Sequence, residues 1–503
     1  MIRRAFRRAA RPGWRHLSCA FALGMLGALG QAPWSLWPVA IAGFGGLTWL
    51  FKAAESAPKA AWIGWAGGAG YFTLALFWLV EPFMVDIARH GWMAPFALFF
   101  MAGGLALLWA TAFGIARRIG GLIALISMWT AMEMLRSVLF TGFPWATVGH
   151  IWSDHPVMQI AALGGTPALT LLTLAIAAGP SAREPLAGLA FSGVLLLAGW
   201  GFGAQQLATH AAQQTGQNVR LIQPNAAQHL KWDPEHIGRF LQRAVDLTAA
   251  PAEAPPDLIV WPETSVPYPL GEAPTVLAAI SVAAGGQPII VGGNDRAEDG
   301  WRNTLVLLGP DGKRVQTYHK YHLVPFGEYI PFGDVLSKLG ISGMASRDGG
   351  GFAKGPGAKL IDLPGIGPAL PLICYELIFP RNLRGLPRPN LLLQITNDAW
   401  FGNISGPYQH LAQARLRAVE QGLPLIRAAN TGISAVIDPW GRVTAQTKLN
   451  EAAFLDAALP APTSATPYSR FGDWPMRVLL VLLLVWQIAA RRRVPIDRAT
   501  PRE

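Results

Sequence analysis

The chain has 503 residues and a formal charge of +11, with 51% hydrophobic and only 14% charged residues. That charged fraction is far below the roughly 25% of soluble domains, which excludes a wholly soluble protein, and the length calls for more than one domain. The positive balance does not point to nucleic acid, because arginines gather at the ends, at Arg3, Arg4, Arg7, Arg8, Arg11 and Arg15 and again at Arg491, Arg492 and Arg493. Charge placed that way reports membrane orientation and anionic headgroups.

Apolar stretches run from about Trp14 to Gly30, Trp34 to Phe51, Ala60 to Val80, Trp92 to Ala116, Ile119 to Leu139, Val157 to Ala178 and Leu186 to Gly203. Most approach the ~20 residues that cross a bilayer, so residues 1–205 are expected to hold about seven membrane helices. The basic start also fits a signal peptide, but Ala28-Leu29-Gly30 is a weak cleavage site and another apolar stretch comes at once. An uncleaved first helix is the better reading. Lys52 and Lys59, then Arg117 and Arg118, then Arg183 fall on alternate loops, which the positive-inside rule assigns to the cytoplasm together with the N-terminus. An odd number of crossings then exports the chain beyond Gln205. A last span, 472–490, returns the basic tail 491–503 to the cytoplasm, with Arg477 obliged to snorkel or pair. Between Arg136 and Asp154, Thr141-Gly142-Phe143-Pro144-Trp145 breaks the helical pattern and reads as an interfacial turn with a tryptophan anchor, or as part of a lipid-facing floor.

From 217 to 460 the texture changes to short apolar runs separated by polar turns. Strands are predicted at Val219 to Gln223, Leu258 to Trp261, Ile289 to Gly292, Thr304 to Leu308, Lys359 to Leu363, Ala369 to Cys374, Leu391 to Thr396, Leu425 to Ala428 and Ile433 to Asp438. Helices are predicted at Pro234 to Ala249 and Gln409 to Gln421, which makes a layered α/β domain. Gly309 to Gly312 and Asp438 to Gly441 have hairpin-turn chemistry, so part of the sheet is antiparallel. The loop 335–357 combines seven glycines with Leu336, Leu339, Ile341, Met344 and Phe352, and reads as a mobile lid that admits acyl chains from lipid.

The chain's two cysteines, Cys19 and Cys374, fall in different compartments on this topology, so no disulfide is expected. No C-x-x-C or H-E-x-x-H pattern is present; no metal and no cofactor are expected, and His319 and His322 read as turn residues. Cys19 reads as a packing residue of a membrane helix. Cys374 ends an apolar run and is followed by Tyr375 and Glu376, as a strand would deliver a thiol to a pocket. Glu263 closes Leu258-Ile259-Val260-Trp261-Pro262, and Lys320 opens a stretch that ends at Glu328. A lone buried cysteine is usually inert, a strand-end glutamate usually solvated, and a turn lysine likewise. Together they form a covalent-catalysis set: a base for the thiol proton, a cation for thiolate and oxyanion, and a nucleophile.

In these motifs, and in Gln223-x-Asn225 through Lys231-Trp232, His322 to Tyr329, and Thr396-Asn397-Asp398-x-Trp400-Phe401, the chain resembles the apolipoprotein N-acyltransferases. These are membrane enzymes whose exported domain is of the nitrilase, or carbon-nitrogen hydrolase, superfamily. The resemblance implies an αββα sandwich on a multispanning bundle of about eight helices in the bacterial inner membrane. It implies Glu263 as general base, Lys320 as oxyanion stabiliser and Cys374 as nucleophile. Glu328, Tyr375 and Glu376 match further functional positions, and Trp232 matches an aromatic linked to substrate handling. Read from the residues, Glu328 either supports Lys320 or closes the lid, and Tyr375 and Glu376 anchor the nucleophile turn, Glu376 against an arginine. The implied partners are a phospholipid acyl donor and a diacylglyceryl-modified lipoprotein acceptor. Rival readings are a membrane-tethered amidase and a non-enzymatic lipid-binding scaffold.

Overall fold

The computed structural model describes residues 12–298, 300–331, 351–383 and 385–492. The N-terminal arginines up to Arg11, the larger part of the 335–357 lid and the tail beyond Arg492 lie outside the described residues. The chain divides into two compact units, one of residues up to Phe77, Phe96–Gln205 and from Arg470 on, the other of Trp78–Pro95 and Gln206–Ser469.

The first unit is helical. Its helices are Trp14–Ala28, Trp37–Ala53, Ala57–Ala75, Ala94–Ile119, Leu122–Arg136, Ala161–Ala178, Pro185–Thr209 and Trp474–Arg492. Among the described residues four helical segments are long and apolar enough to cross a membrane, five if the bent pair Ala57–Ala75 and Phe77–Met84 counts as one span. The 15-residue helices Trp14–Ala28 and Leu122–Arg136 fall below that test. At 1.5 Å per residue such a helix rises only about 22 Å against a hydrocarbon layer of about 30 Å. Large apolar side chains point outward, among them Phe99, Phe100, Leu107, Leu197 and Trp486, as on a surface solvated by lipid.

Small residues set the packing. A Cβ on Gly24 would lie 1.9 Å from the Gly67 carbonyl oxygen, and one on Gly70 would lie 2.0 Å from that of Phe21. Helices Trp14–Ala28 and Ala57–Ala75 therefore meet backbone to backbone, the contact that replaces the hydrophobic drive where solvent is itself apolar. One buried ion pair interrupts this apolar interior. Arg136 Nη2 bonds Glu133 Oε2 at 2.6 Å, Arg136 Nη1 donates to the carbonyls of Phe143 and Trp145 at 2.7 Å each, and Trp109 Nε1 donates to Glu133 Oε1 at 2.8 Å. This clamp draws the loop after Arg136 inward, so Trp145 is fully buried, not the interfacial anchor expected from the sequence. Arg477 lies over the Trp474 ring at 5.3 Å and 3.9 Å from Asp473.

The second unit holds two six-stranded sheets. One runs β12-β1-β2-β3-β4-β5, with β1 Gln214–Gln223, β2 Leu258–Val260, β3 Ile289–Ala297, β4 Gly300–Leu308, β5 Arg314–His319 and β12 Ala453–Pro460. The other runs β11-β10-β9-β8-β7-β6, with β6 Ile361–Leu363, β7 Gly367–Ile373, β8 Leu391–Thr396, β9 Leu425–Ala429, β10 Ala435–Ile437 and β11 Val443–Gln446. The parallel centres, β1-β2-β3 and β7-β8-β9, are buried on both faces and read as near-continuous Leu, Ile and Val. Antiparallel hairpins close on the two expected turns, with Gly312 N donating to Gly309 O at 3.0 Å and Gly441 N to Asp438 O at 2.9 Å.

Helices cover the outer faces. Leu241 and Val245 of helix Pro234–Ala249, with Leu277 and Ile280 of helix Pro274–Ala283, pack on Ile259, Ile289 and Val291 of the first sheet. Leu411, Ala414 and Ala418 of helix Gly406–Gln421 pack on Leu370, Leu372 and Leu392 of the second. Alternate residues such as Ala369 and Ile373 are buried on the opposite face of β7, which gives the αββα layering. Three strands and one helix were not expected. Strands β5 and β11 carry polar residues along half-exposed edges, and β12 is apolar but alanine-rich and broken by Asp456, a weak strand signature; helix Pro274–Ala283 is apolar almost all round and lacks a helical stripe.

Candidate active site

Each expected catalytic residue leaves the end of a strand. Glu263 follows β2 across Trp261-Pro262, and that turn lies directly on β3: a Cβ on Gly292 would sit 2.5 Å from the Pro262 carbonyl oxygen and 2.9 Å from Glu263 Cα. Only glycine permits that approach. Lys320 follows β5, its N–H donating to the Asn303 carbonyl at 2.9 Å. Cys374 follows β7 and opens the 3-10 turn Cys374–Ile378. Its φ is +49°, a left-handed conformation costly for a side chain with a Cβ, and Asn225, Thr264 and Phe326 in the neighbouring motifs share it.

These side chains are buried and tied together. Lys320 Nζ donates to Glu328 Oε1 at 2.8 Å and to Glu263 Oε1 at 3.4 Å. Asn303 Nδ2 bridges the same carboxylates, at 2.7 Å to Glu263 and 3.2 Å to Glu328. Glu263 Oε2 accepts the Asn397 backbone N–H at 2.8 Å, so one carboxylate is held by donors from both sheets. Glu328 Oε2 accepts the Val324 N–H at 2.8 Å. Burial works to strip the Lys320 proton, but the charges of Glu328 and Glu263 more than reverse this and hold its pKa well above the ordinary value. The Cys374 thiol is pushed up strongly by burial and by Glu263, with Lys320 pulling weakly the other way. Lys320 acts on the thiol in the expected direction, but burial and the Glu263 charge outweigh it.

Glu376 is fully buried, and among the described residues its hydrogen bonds go to a tyrosine and to backbone N–H groups, not to the expected arginine. It accepts the Tyr318 hydroxyl at 3.0 Å and the backbone N–H groups of Ile373 and Tyr321 at 2.9 Å and of His322 at 3.2 Å. Burial lifts its pKa to about 7 against those donors. It thus pins the turn before Lys320's loop to the turn after β7. Tyr375 packs edge-on against Phe379 at 5.1 Å and His322 at 5.8 Å. Trp232 is half-buried and lines an apolar cleft with Phe240, Leu241 and Pro267 beside Thr264. Among the described residues no group of three or more His, Cys, Asp or Glu is arranged to hold a metal ion.

Several residues near these groups gave no signal that singled them out. Asn303 sits in an ordinary strand sequence. Lys231, whose Nζ donates to the Glu263 carbonyl at 3.3 Å, is lowered to about 8 by burial against the pull of Glu263. Asp398, His410 and Arg427 form a fully buried charged network beside β8 and β9. Lys231 and Asp398 lay in motifs quoted from the sequence, though neither was singled out there; Asn303, His410 and Arg427 lay in none.

Comparison with known proteins is consistent across the chain. Residues 218–468 match the family model for carbon-nitrogen hydrolases, and residues 23–179 match that for the N-terminal domain of apolipoprotein N-acyltransferase. The chain is 37% identical to the apolipoprotein N-acyltransferase of Allorhizobium ampelinum, over 93% of this chain and 95% of that protein. It is 37% identical to that of Bradyrhizobium diazoefficiens over 96% of each, and 36% identical to that of Caulobacter vibrioides over 96% of this chain and 95% of that one. Among solved structures, an amidase mutant from Nesterenkonia sp. AN1 aligns at 17% identity over 54% of this chain and 99% of its own, with a TM-score of 0.36.

Proposed function

The chain belongs to the apolipoprotein N-acyltransferases, and from that premise we propose that Cys374 takes an acyl chain from a membrane phospholipid and passes it to the α-amino group of a lipoprotein's N-terminal diacylglyceryl-cysteine. The observation that carries this reading is Lys320 bonded to both Glu263 and Glu328 and coupled electrostatically to Cys374.

Charge balance selects the order of events. Lys320 lies between two carboxylates, so a free thiolate would put a third negative group beside it. The thiol therefore gives its proton to Glu263 only as sulfur attacks the ester carbonyl, when the new charge moves onto the carbonyl oxygen. Lys320 has three protons, of which Glu328 and Glu263 engage two; the third and the Tyr375 backbone N–H receive the oxyanion. Losing one such donor costs roughly 3 kcal/mol. Glu263 passes the proton to the departing lysophospholipid oxygen, leaving a thioester. An α-amino group has a pKa near 8, so part of it is neutral at physiological pH; its nitrogen attacks, Glu263 takes the surplus proton, and the sulfur leaves and is reprotonated. Glu328 keeps Lys320 charged throughout, and Trp232 contributes its cleft to substrate handling.

In this reading the eight helices of the first unit cross the bacterial inner membrane, both termini are cytoplasmic and the catalytic domain is exported. Mass spectrometry of the protein after exposure to phospholipid tests the central step. An acyl mass on Cys374 with release of lysophospholipid, absent in Cys374→Ser, is expected, followed by transfer to a diacylated peptide. Release of free fatty acid without amide formation would instead indicate a hydrolase.

A further inference from the structure

We propose that the Thr396 hydroxyl is a hydrogen-bond donor to the Cys374 sulfur during both halves of the reaction, aimed by a buried cluster of Asp398, His410, Arg427 and Gln394. The inference rests on the reading of Cys374 as nucleophile.

The ladder places the hydroxyl. Strands β7 and β8 are parallel with Ile373 opposite Ile395, so the next residues, Cys374 and Thr396, leave the sheet side by side. Thr396 is fully buried, donates to Asp398 Oδ1 at 2.8 Å, and acts on the Cys374 thiol in the direction that lowers its pKa. A hydroxyl has one proton and two lone pairs. While that proton points at Asp398, the oxygen offers the sulfur a lone pair, which suits a resting thiol. Once sulfur carries charge, the same hydroxyl must turn to donate.

The cluster behind it makes that turn inexpensive. Asp398 Oδ2 accepts from Arg427 Nη2, and Oδ1 is 2.9 Å from His410 Nδ1. Against burial, Arg427 and His410 draw Asp398 down to about 2, so it stays ionised and keeps two partners when the hydroxyl swings away. His410 is held below its ordinary value by burial and by Arg427, which favours the neutral ring with Nδ1–H on Asp398. Its Nε2 then faces the Gln394 amide at 3.0 Å, while Gln394 also donates to the Cys374 carbonyl at 3.4 Å and accepts Arg427 Nη1 at 2.5 Å. This network thus reaches the nucleophile's own carbonyl through Gln394, beside the Thr396 hydroxyl.

No covalent change falls on threonine. On acylation the thiol proton goes to Glu263, a sulfur pair forms the C–S bond and the carbonyl π pair moves to oxygen. On transfer to the amine the C–S bond breaks, its pair returns to sulfur, and the hydroxyl receives that charge until Glu263 returns a proton.

The test reads Cys374 itself in the full-length protein in detergent micelles. Iodoacetamide alkylation of the Cys374 peptide is followed by mass spectrometry between pH 6 and pH 10, which separates it from Cys19. The charged groups acting on the sulfur are Glu263, Lys320 and Asp398, and all remain in every variant. Thr396→Val keeps the volume and loses the proton; alkylation is expected to slow about tenfold, the worth of one unit of thiol pKa. Thr396→Ser restores the donor and is expected to stay within about twofold of the parent. Val alkylating as fast as the parent, or Ser as slowly as Val, overturns the proposal. Should the Val protein not fold, Thr396→Ala against Thr396→Ser gives the same two outcomes. Because alkylation needs no phospholipid, its failure leaves the acyl-adduct test of the function standing on its own.

Discussion

Two buried charge clusters, one in each unit, differ in stoichiometry and so in what they can do. In the helical unit Glu133 and Arg136 pair one to one, and the remaining guanidinium donors go to backbone carbonyls of the loop they hold. In the catalytic unit Lys320 faces two carboxylates, Glu263 and Glu328, with Asn303 shared between them. A saturated pair has no reason to move a proton; its removal leaves a lone charge in an apolar medium, so it fixes shape. A cluster with surplus acid beside a neutral thiol has a place for a proton to go. The first cluster is a clamp; the second has the charge pattern that the proposed reaction needs.

The comparison can be broken by exchanging the signatures of the two clusters. The largest effect is expected at Cys374→Ala and Glu263→Gln, where acyl transfer to peptide should fall by about a thousandfold or more while thermal unfolding barely moves, because members of a catalytic unit fail together. Next comes Arg136→Met, expected to cost about 3–5 kcal/mol of stability by stranding Glu133, with turnover per folded molecule preserved. A rate loss there without loss of stability would make the clamp part of the chemistry. Third is Glu328→Gln, which leaves Lys320 with one carboxylate; a drop of about a hundredfold in kcat is expected, with KM for phospholipid little changed.

The smallest effect sharpens the picture at Glu376. Its folded pKa of about 7 exceeds the ordinary 4.5, so between those values the folded protein holds a proton that the unfolded chain has released. Stability from this group is present in full below about pH 4.5 and is lost as pH rises to about 7, a slope of at most about 1.4 kcal/mol per pH unit. Glu376→Gln cannot titrate, and its unfolding free energy should lack that slope; an unchanged slope would place the titration elsewhere.

Much of the architecture was legible because burial leaves a period in the sequence. Leu391 to Thr396 and Pro234 to Ala249 emerge as expected, one as a fully buried, mainly apolar strand and the other as a helix capped by Asp233. The edge strand β12 was not, since its apolar run is alanine-rich and broken by Asp456, a weak strand signature. The helical unit shows the same limit: glycines were visible, but not that Gly24 and Gly67 would meet across two helices.

At the site, Glu263 and Cys374 stood out at the ends of apolar runs, and Lys320 joined them only through its residue type and the resemblance of its motif. Their partners were decided in three dimensions. That Glu263 is held by Asn303 and Asn397, that Glu376 meets a tyrosine and three backbone N–H groups, and that Asp398, His410 and Arg427 lie behind Thr396 depends on which strands lie side by side. A hydrogen bond is set by a few tenths of an ångström between residues up to 134 positions apart, and linear spacing carries no such distance. Residue types therefore suggested what chemistry the chain can perform, while packing decided which partners each group has, because strands far apart in sequence lie side by side.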